Sequence, residues 1–232
     1  MLYLHQGAYD TALSNFKQAL EIFREKGDQE ERGWNYCAIS LLYHNLGEKE
    51  AALEYGQRGL RTAQEFGPLA RRLQERALMT MGQALVEVGE LAEAIEAYQK
   101  AITLMRGSGK HHWAMEPLAG LVRVSLAQGD LSRALSQVEE ILGFLETRYT
   151  STGHALDGAV EPFRIYQTCY QVLKANEDSR ADAILTDAYN LLQKRAANIS
   201  DEHLRGCFLN NVAVNREIVE EYEKNRSGEL KT

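Results

Sequence analysis

The stretch GSGKHHW, residues 107–113, gathers in one segment the residue types that handle phosphates and metal ions. A phosphate loop needs a glycine five residues before the glycine that precedes its lysine, and Ser or Thr directly after that lysine. Backbone N–H groups then cradle the phosphates and the hydroxyl meets magnesium. Leu104 and His111 stand at those two places, so the template fails. His111 and His112 are adjacent, hence diverge on a helix, and no third ligand is near in sequence. The segment reads as a connecting loop. His5, His44, His154 and His203 form no HxxxH or HExxH spacing, and no Ser or Cys lies in a nucleophile-elbow context. Pairs such as Glu30–Glu31 and Glu139–Glu140 read as solvated helix faces. Cys37, Cys169 and Cys207 are odd in number, widely spaced and without CxxC, which argues against a disulfide framework or a structural zinc site. Cys37 and Cys169, among apolar neighbours, read as small core or groove residues. The expectation is a chain with no catalytic residues, no metal and no cofactor.

Composition agrees with a globular, helical chain. Of 232 residues, 44% are hydrophobic and 25% charged, and only 3 are proline. The net charge of -7, with no Lys/Arg block, argues against direct binding of nucleic acid. No stretch approaches the ~18 apolar residues of a membrane span, and the opening MLYLHQGAYD lacks a signal-peptide pattern. The expected compartment is the cytoplasm.

Internal repetition organises the chain. Four segments align: YLHQGAYDTALSNFKQAL, YHNLGEKEAALEYGQRGL, LVEVGELAEAIEAYQKAI and SLAQGDLSRALSQVEEIL. Their glycines are Gly7, Gly47, Gly89 and Gly129, at intervals of 40, 42 and 40 residues. Ala12, Ala52, Ala94 and Ala134 follow each glycine at the same offset. A weaker fifth copy puts Asn176 at the turn, followed by Ala181 and Ala188. Each unit reads as helix, tight turn, helix: the glycine ends the first helix in a left-handed conformation, and Asp130 or Ser132 caps the second in the fourth unit. Leu91, Ala94, Ile95, Tyr98, Ala101 and Ile102 then recur at helical spacing. The small residues permit close approach of helices, and Tyr98 is the wedge between units.

These residues resemble a tetratricopeptide repeat (TPR). Gly82, Gly89, Ala94, Tyr98 and Ala101 occupy the motif's places in the third unit, and Ser40, Tyr43, Gly47 and Ala52 in the second. Gly56 and Gly59 depart from it, standing where an aromatic residue and an alanine are usual, as do Val138 and Ile141 in the fourth unit. The period exceeds the standard of about 34. Such long repeats resemble the C-terminal sensor arrays of maltose-regulator-type ATPases and other signal-transducing relatives. They are also similar to bacterial peptide-sensing regulators and to animal spindle-orientation and kinesin light-chain adaptors. The resemblance implies an all-α, right-handed superhelical solenoid of antiparallel helix pairs. Residues 1–195 would form about five units, the first truncated and the fifth degenerate. Residues 196–224 would be C-terminal capping helices, and 225–232 a frayed tail.

Family geometry turns the first helix of each pair toward a concave groove. Transferred by position, the groove residues are Trp34, Cys37, Leu41 and Asn45, then Arg76, Met79, Gln83 and Glu87. Glu116, Ala119 and Arg123 follow in the fourth unit, and Arg164, Thr168 and Gln171 in the fifth. Arg76, Arg123 and Arg164 suit forked recognition of carboxylates. The clamp of chaperone-binding relatives is absent, because Cys37 and Leu41 replace its Lys and Asn. The resemblance implies a non-catalytic module that binds a protein, a peptide or a small effector, as the sensor part of a larger bacterial signalling or transcription-regulatory ATPase. A structural adaptor is the alternative, favoured if Leu2, Leu4, Ile218 and Val219 expose apolar surface at the ends.

Overall fold

The computed structural model describes residues 1–152, 156 and 159–229. His154 and residues 230–232 of the expected tail lie outside them. The described residues form twelve α-helices and one 3-10 turn, with no strand among them. They are α1 (Leu2–His5), α2 (Tyr9–Glu25), α3 (Gln29–Leu46), α4 (Lys49–Glu65), α5 (Arg71–Val88) and α6 (Leu91–Gly107). After these come α7 (Met115–Ala127), α8 (Leu131–Thr152), α9 (Pro162–Ala175), α10 (Ala181–Ala197), α11 (Glu202–Asn210) and α12 (Ala213–Glu229). The 3-10 turn Gly67–Ala70 joins α4 to α5.

The repeat glycines act as expected. Gly47 and Gly89 cap α3 and α5 at φ 76° and 85°, a backbone region that a Cβ would strain. The fifth unit solves the turn differently: Asn176 stays at φ -98°, and Glu177 takes the left-handed place at φ 52°. Asp28, Asp130 and Asp201 cap their helices by accepting the N–H of Glu31, Arg133 and Leu204. The helix α12 continues through Glu229, past Asn225, where a frayed tail was expected to begin.

Consecutive helices pair antiparallel, and α3, α5, α7 and α9 also pack side by side as an inner row, which is the all-α, TPR-like solenoid. The small residues are the contact points. Ala52, Ala94, Ala101 and Ala134 are each 0% exposed. Tyr98, at 1%, drives its ring between Gly82 of α5 and Gly120 of α7. In the second unit Gly59 leaves room for the Cys37 sulfur, which a Cβ there would meet at 2.8 Å.

The row curls until its ends meet. Asn211, between α11 and α12, donates its side-chain N–H to the carbonyl of Gly7 at 3.1 Å. The same contact buries Gly7 against Cys207 and Val212. Of the apolar residues expected to be exposed at the ends, Leu2 is, at 66%, but Leu4 and Ile218 are not. Leu4 packs with Phe16, Ile39 and Leu42, and Ile218 joins the main core, because those ends are covered by neighbouring helices.

Candidate functional site

The concave face divides into a filled half and an open half. The filled half is set by the segment that enters α9. Pro162 starts that helix, at a position where a missing N–H costs nothing. The residues before it, Val160 and Glu161, run into the groove and donate their backbone N–H groups to the Glu116 carboxylate at 3.0 and 2.9 Å. Glu161 turns its own carboxylate to Gln83, at 2.7 Å, and to Arg164, at 3.3 Å. Arg164 also donates to Asn45 across the groove at 3.2 Å. Arg123 donates to the Thr168 hydroxyl at 3.2 Å, and that hydroxyl donates to the carbonyl of Arg164.

This network has a defined charge state. Burial disfavours ionisation of Glu161, but the Arg164 and Arg123 guanidiniums outweigh it and hold the carboxyl at about 2. Burial is the main cause that lowers His44 to about 3, with Arg164 and Arg123 adding to it. The imidazole is therefore neutral near pH 7, and Glu87, 3.8 Å away, faces an uncharged ring. Burial also raises the Glu116 carboxyl, against the pull of Arg76.

The open half lies between α3, α5 and the loop before α7. It holds two adjoining cavities, of about 230 and 340 Å³, whose walls share Trp34 and Arg76. Arg72, Glu75, Met79, Met105, Trp113 and Glu116 complete the first, and Phe16, Glu31, Cys37 and Leu41 are among those that line the second. A buried carboxylate steadies the first cavity's rim. Glu75 is 2% exposed and meets Lys110 at 3.0 Å and Arg71 at 3.4 Å. Lys110 also lies 4.5 Å from the centre of the Trp113 ring, a cation–π contact. The lysine of GSGKHHW therefore anchors a loop and an aromatic wall. His111 is exposed, and His112 sits edge-on to Trp113. Among the described residues, no group of three His, Cys, Asp or Glu side chains is placed to hold a metal ion.

The expected groove residues thus fall into sets. Trp34, Cys37, Leu41, Arg76, Met79 and Glu116 surround the open cavities. Asn45, Gln83, Arg123, Arg164 and Thr168 belong to the filled network, which Glu116 also joins, and Glu87 lies at its edge beside His44. Ala119 is fully buried, and Gln171 is exposed. The repeat register did not reveal Glu161, His44, Glu75 or Trp113. Glu161 and Trp113 lie on inter-unit loops, whose path a helical period does not specify. The one local signal for Glu161 is its place directly before a helix-starting proline.

A family model described as the MalT-like TPR region matches residues 1–198. The chain belongs to that family. No curated protein matches it. A MalT-like TPR region is a protein-interaction or sensor type of module, in a repeat family that is typically non-catalytic. In this MalT-like TPR region, no helix among the described residues is long and apolar enough to cross a membrane.

Proposed function

We propose that this MalT-like TPR region is a non-catalytic binding module, the sensor or interaction part of a larger bacterial signalling or transcription-regulatory ATPase. Its ligand is a protein segment, a peptide or a small effector, and it works in the cytoplasm without direct contact with nucleic acid or a membrane. One observation carries the reading. The inner face is filled by its own segment from Val160 to Arg164, yet stays open at the paired cavities around Trp34 and Arg76. Leu41 and Asn45, on the same helix, also line a third cavity of about 280 Å³ at the closure between the chain's two ends. A ligand that shifts α3 would therefore act on that closure. Each unit touches its neighbours, so a local shift can pass along the row.

The test is a thermal-shift screen of peptides and metabolites, repeated with Trp34→Ala. Stabilisation by a compound that is lost in the variant supports the reading. If stabilising ligands leave Trp34→Ala unaffected, the concave cleft is the wrong surface. Of its expected apolar contacts the adaptor reading keeps Leu2, at 66% exposure, and the structure adds Leu69, at 94%. A strict monomer at high concentration would argue against self-assembly through them.

A further inference from the structure

The cations of the inner face are nearly all committed to protein acceptors. Arg164 is bonded to Asn45 and Glu161, Arg123 to Thr168, and Lys110 and Arg71 to Glu75. Arg76 differs. Its guanidinium makes no hydrogen bond or ion pair among the described residues, and its Nη1 is shut off from solvent without an acceptor. Glu116, the carboxylate on the same wall, gives its two oxygens to the N–H groups of Val160 and Glu161. A buried charged N–H without a partner is costly, and native interiors rarely leave one. This one stands on the wall common to both cavities.

The surroundings of Arg76 select among anions. Trp34, Met79, Met105 and Trp113 line one side, and Phe16 and Leu41 the other. Arg72, the other guanidinium of the first cavity, lies over the Trp113 ring, 5.3 Å from its centre, and of the two only Arg76 stands on the wall common to both cavities. A phosphate there would meet Arg76 among apolar walls with the Glu75 and Glu116 carboxylates close by. A carboxylate matches one guanidinium fork, and an attached apolar group matches the walls.

We propose that Arg76 is the anion-binding residue of this cleft and that the ligand is a hydrophobic carboxylic acid, free or as the C-terminus of a peptide. Its carboxylate receives the Arg76 fork and its apolar group lies against Trp34. The inference rests on the concave-cleft reading above and narrows it to a ligand class.

The chain itself supplies the reporter. It has 2 tryptophans, Trp34 and Trp113, and both line the first cavity. Tryptophan fluorescence is followed while the chain is titrated with octanoate, phenylpropionate and acetylated tripeptides ending in Leu or Phe, each beside its amide. The expected result is a saturable change with a Kd below about 1 mM for at least one acid. Binding should weaken at least about tenfold for the matching amide and for Arg76→Gln. Arg76→Lys keeps the charge but loses the fork and should weaken binding as well. Small acids and peptides titrated side by side show which source the cleft prefers. Arg76 also attracts the buried Glu116 carboxylate, so the stability control is Arg76→Lys, which keeps the charge and should melt close to the parent. If Arg76→Lys melts well below the parent, the guanidinium fork is structural and the proposal fails. Acid and amide binding alike would also overturn it while leaving the binding module intact, as would no saturable change with any probe. The module is judged separately by the thermal-shift screen.

Discussion

Replacing Gly120 by alanine tests the packing that holds the repeat units in register. A Cβ at Gly120 would lie 2.4 Å from Cζ of Tyr98, 2.5 Å from Cε1 and 2.7 Å from Cε2. Ordinary carbon contacts are about 3.5–4.0 Å, so ring and helix must part by roughly 1 Å. The ring cannot retreat, because Gly82 closes on it from α5, where a Cβ would meet Cε1 at 2.7 Å. Overpacking a core in this way costs about 1–3 kcal/mol. Alanine returns about 0.5–1 kcal/mol through its better helix propensity. The expected net loss is about 1–2 kcal/mol, a fall in Tm of roughly 2–8 °C for a chain of this size. Gly143 on α8 is the control, since a Cβ there meets nothing within 4 Å. Gly143→Ala should stabilise by up to about 1 kcal/mol, so the same chemical change has opposite signs at two sites. Both variants are melted beside the parent, and Gly120→Ala is combined with Tyr98→Leu to relieve the clash. The pair should couple favourably by at least about 1 kcal/mol. If Gly120→Ala is as stable as Gly143→Ala, Tyr98 is not the wedge between α5 and α7.

Further outcomes follow from the buried charges and thiols. The His44 pKa is lowered from 6.5 to about 3, so the unfolded chain binds a proton there before the native chain does. Stability should fall as pH drops from 6.5 toward 3, by roughly 1 kcal/mol per unit, and His44→Leu should flatten the upper part of that slope in denaturant titrations. Glu161 acts in the same direction at lower pH, from 4.5 down to about 2, as its ion pairs are lost on protonation. Burial pushes the Cys37 thiol up to about 11 and Cys169 to about 12, so iodoacetamide at pH 8 should label the half-buried Cys207 first, as read by mass spectrometry. Labelling of Cys169 at the rate of Cys207 would contradict its burial. Lys110→Met leaves the buried Glu75 with Arg71 and the Ser108 hydroxyl and should cost about 1–3 kcal/mol. Adding Glu75→Leu should recover most of that loss, and a lysine variant as stable as the parent would mean that the pair carries no weight.

The helix pairs were legible in the sequence because their causes are local. A turn glycine, an alanine at a fixed offset and an apolar stripe at helical spacing act within one unit of about forty residues. The wedge role of Tyr98 was legible for the same reason: small residues on α6 mark a close crossing, and a ring beside them must go somewhere. The concave register was legible in part. Trp34, Arg76 and Met79 do line open cavities, but the same register also selected Arg123 and Arg164, whose guanidiniums are engaged by protein groups.

What separates Arg76 from those two arginines is not written near any of them. It depends on Val160 and Glu161 entering the groove, and on α3 curling round to bring Asn45 within 3.2 Å of Arg164. Those contacts join residues 44 to 119 positions apart, through a loop with no period and through curvature that accumulates over successive unit-to-unit contacts. The sequence alone therefore determined the repeat, its small-residue crossings and the helices that face inward. The tertiary structure decided which inward-facing charges are paired by the chain itself and that Arg76 is left without a hydrogen-bond partner among the described residues. Pairing of a buried charge depends on the position of groups distant in sequence, and no local pattern encodes that position.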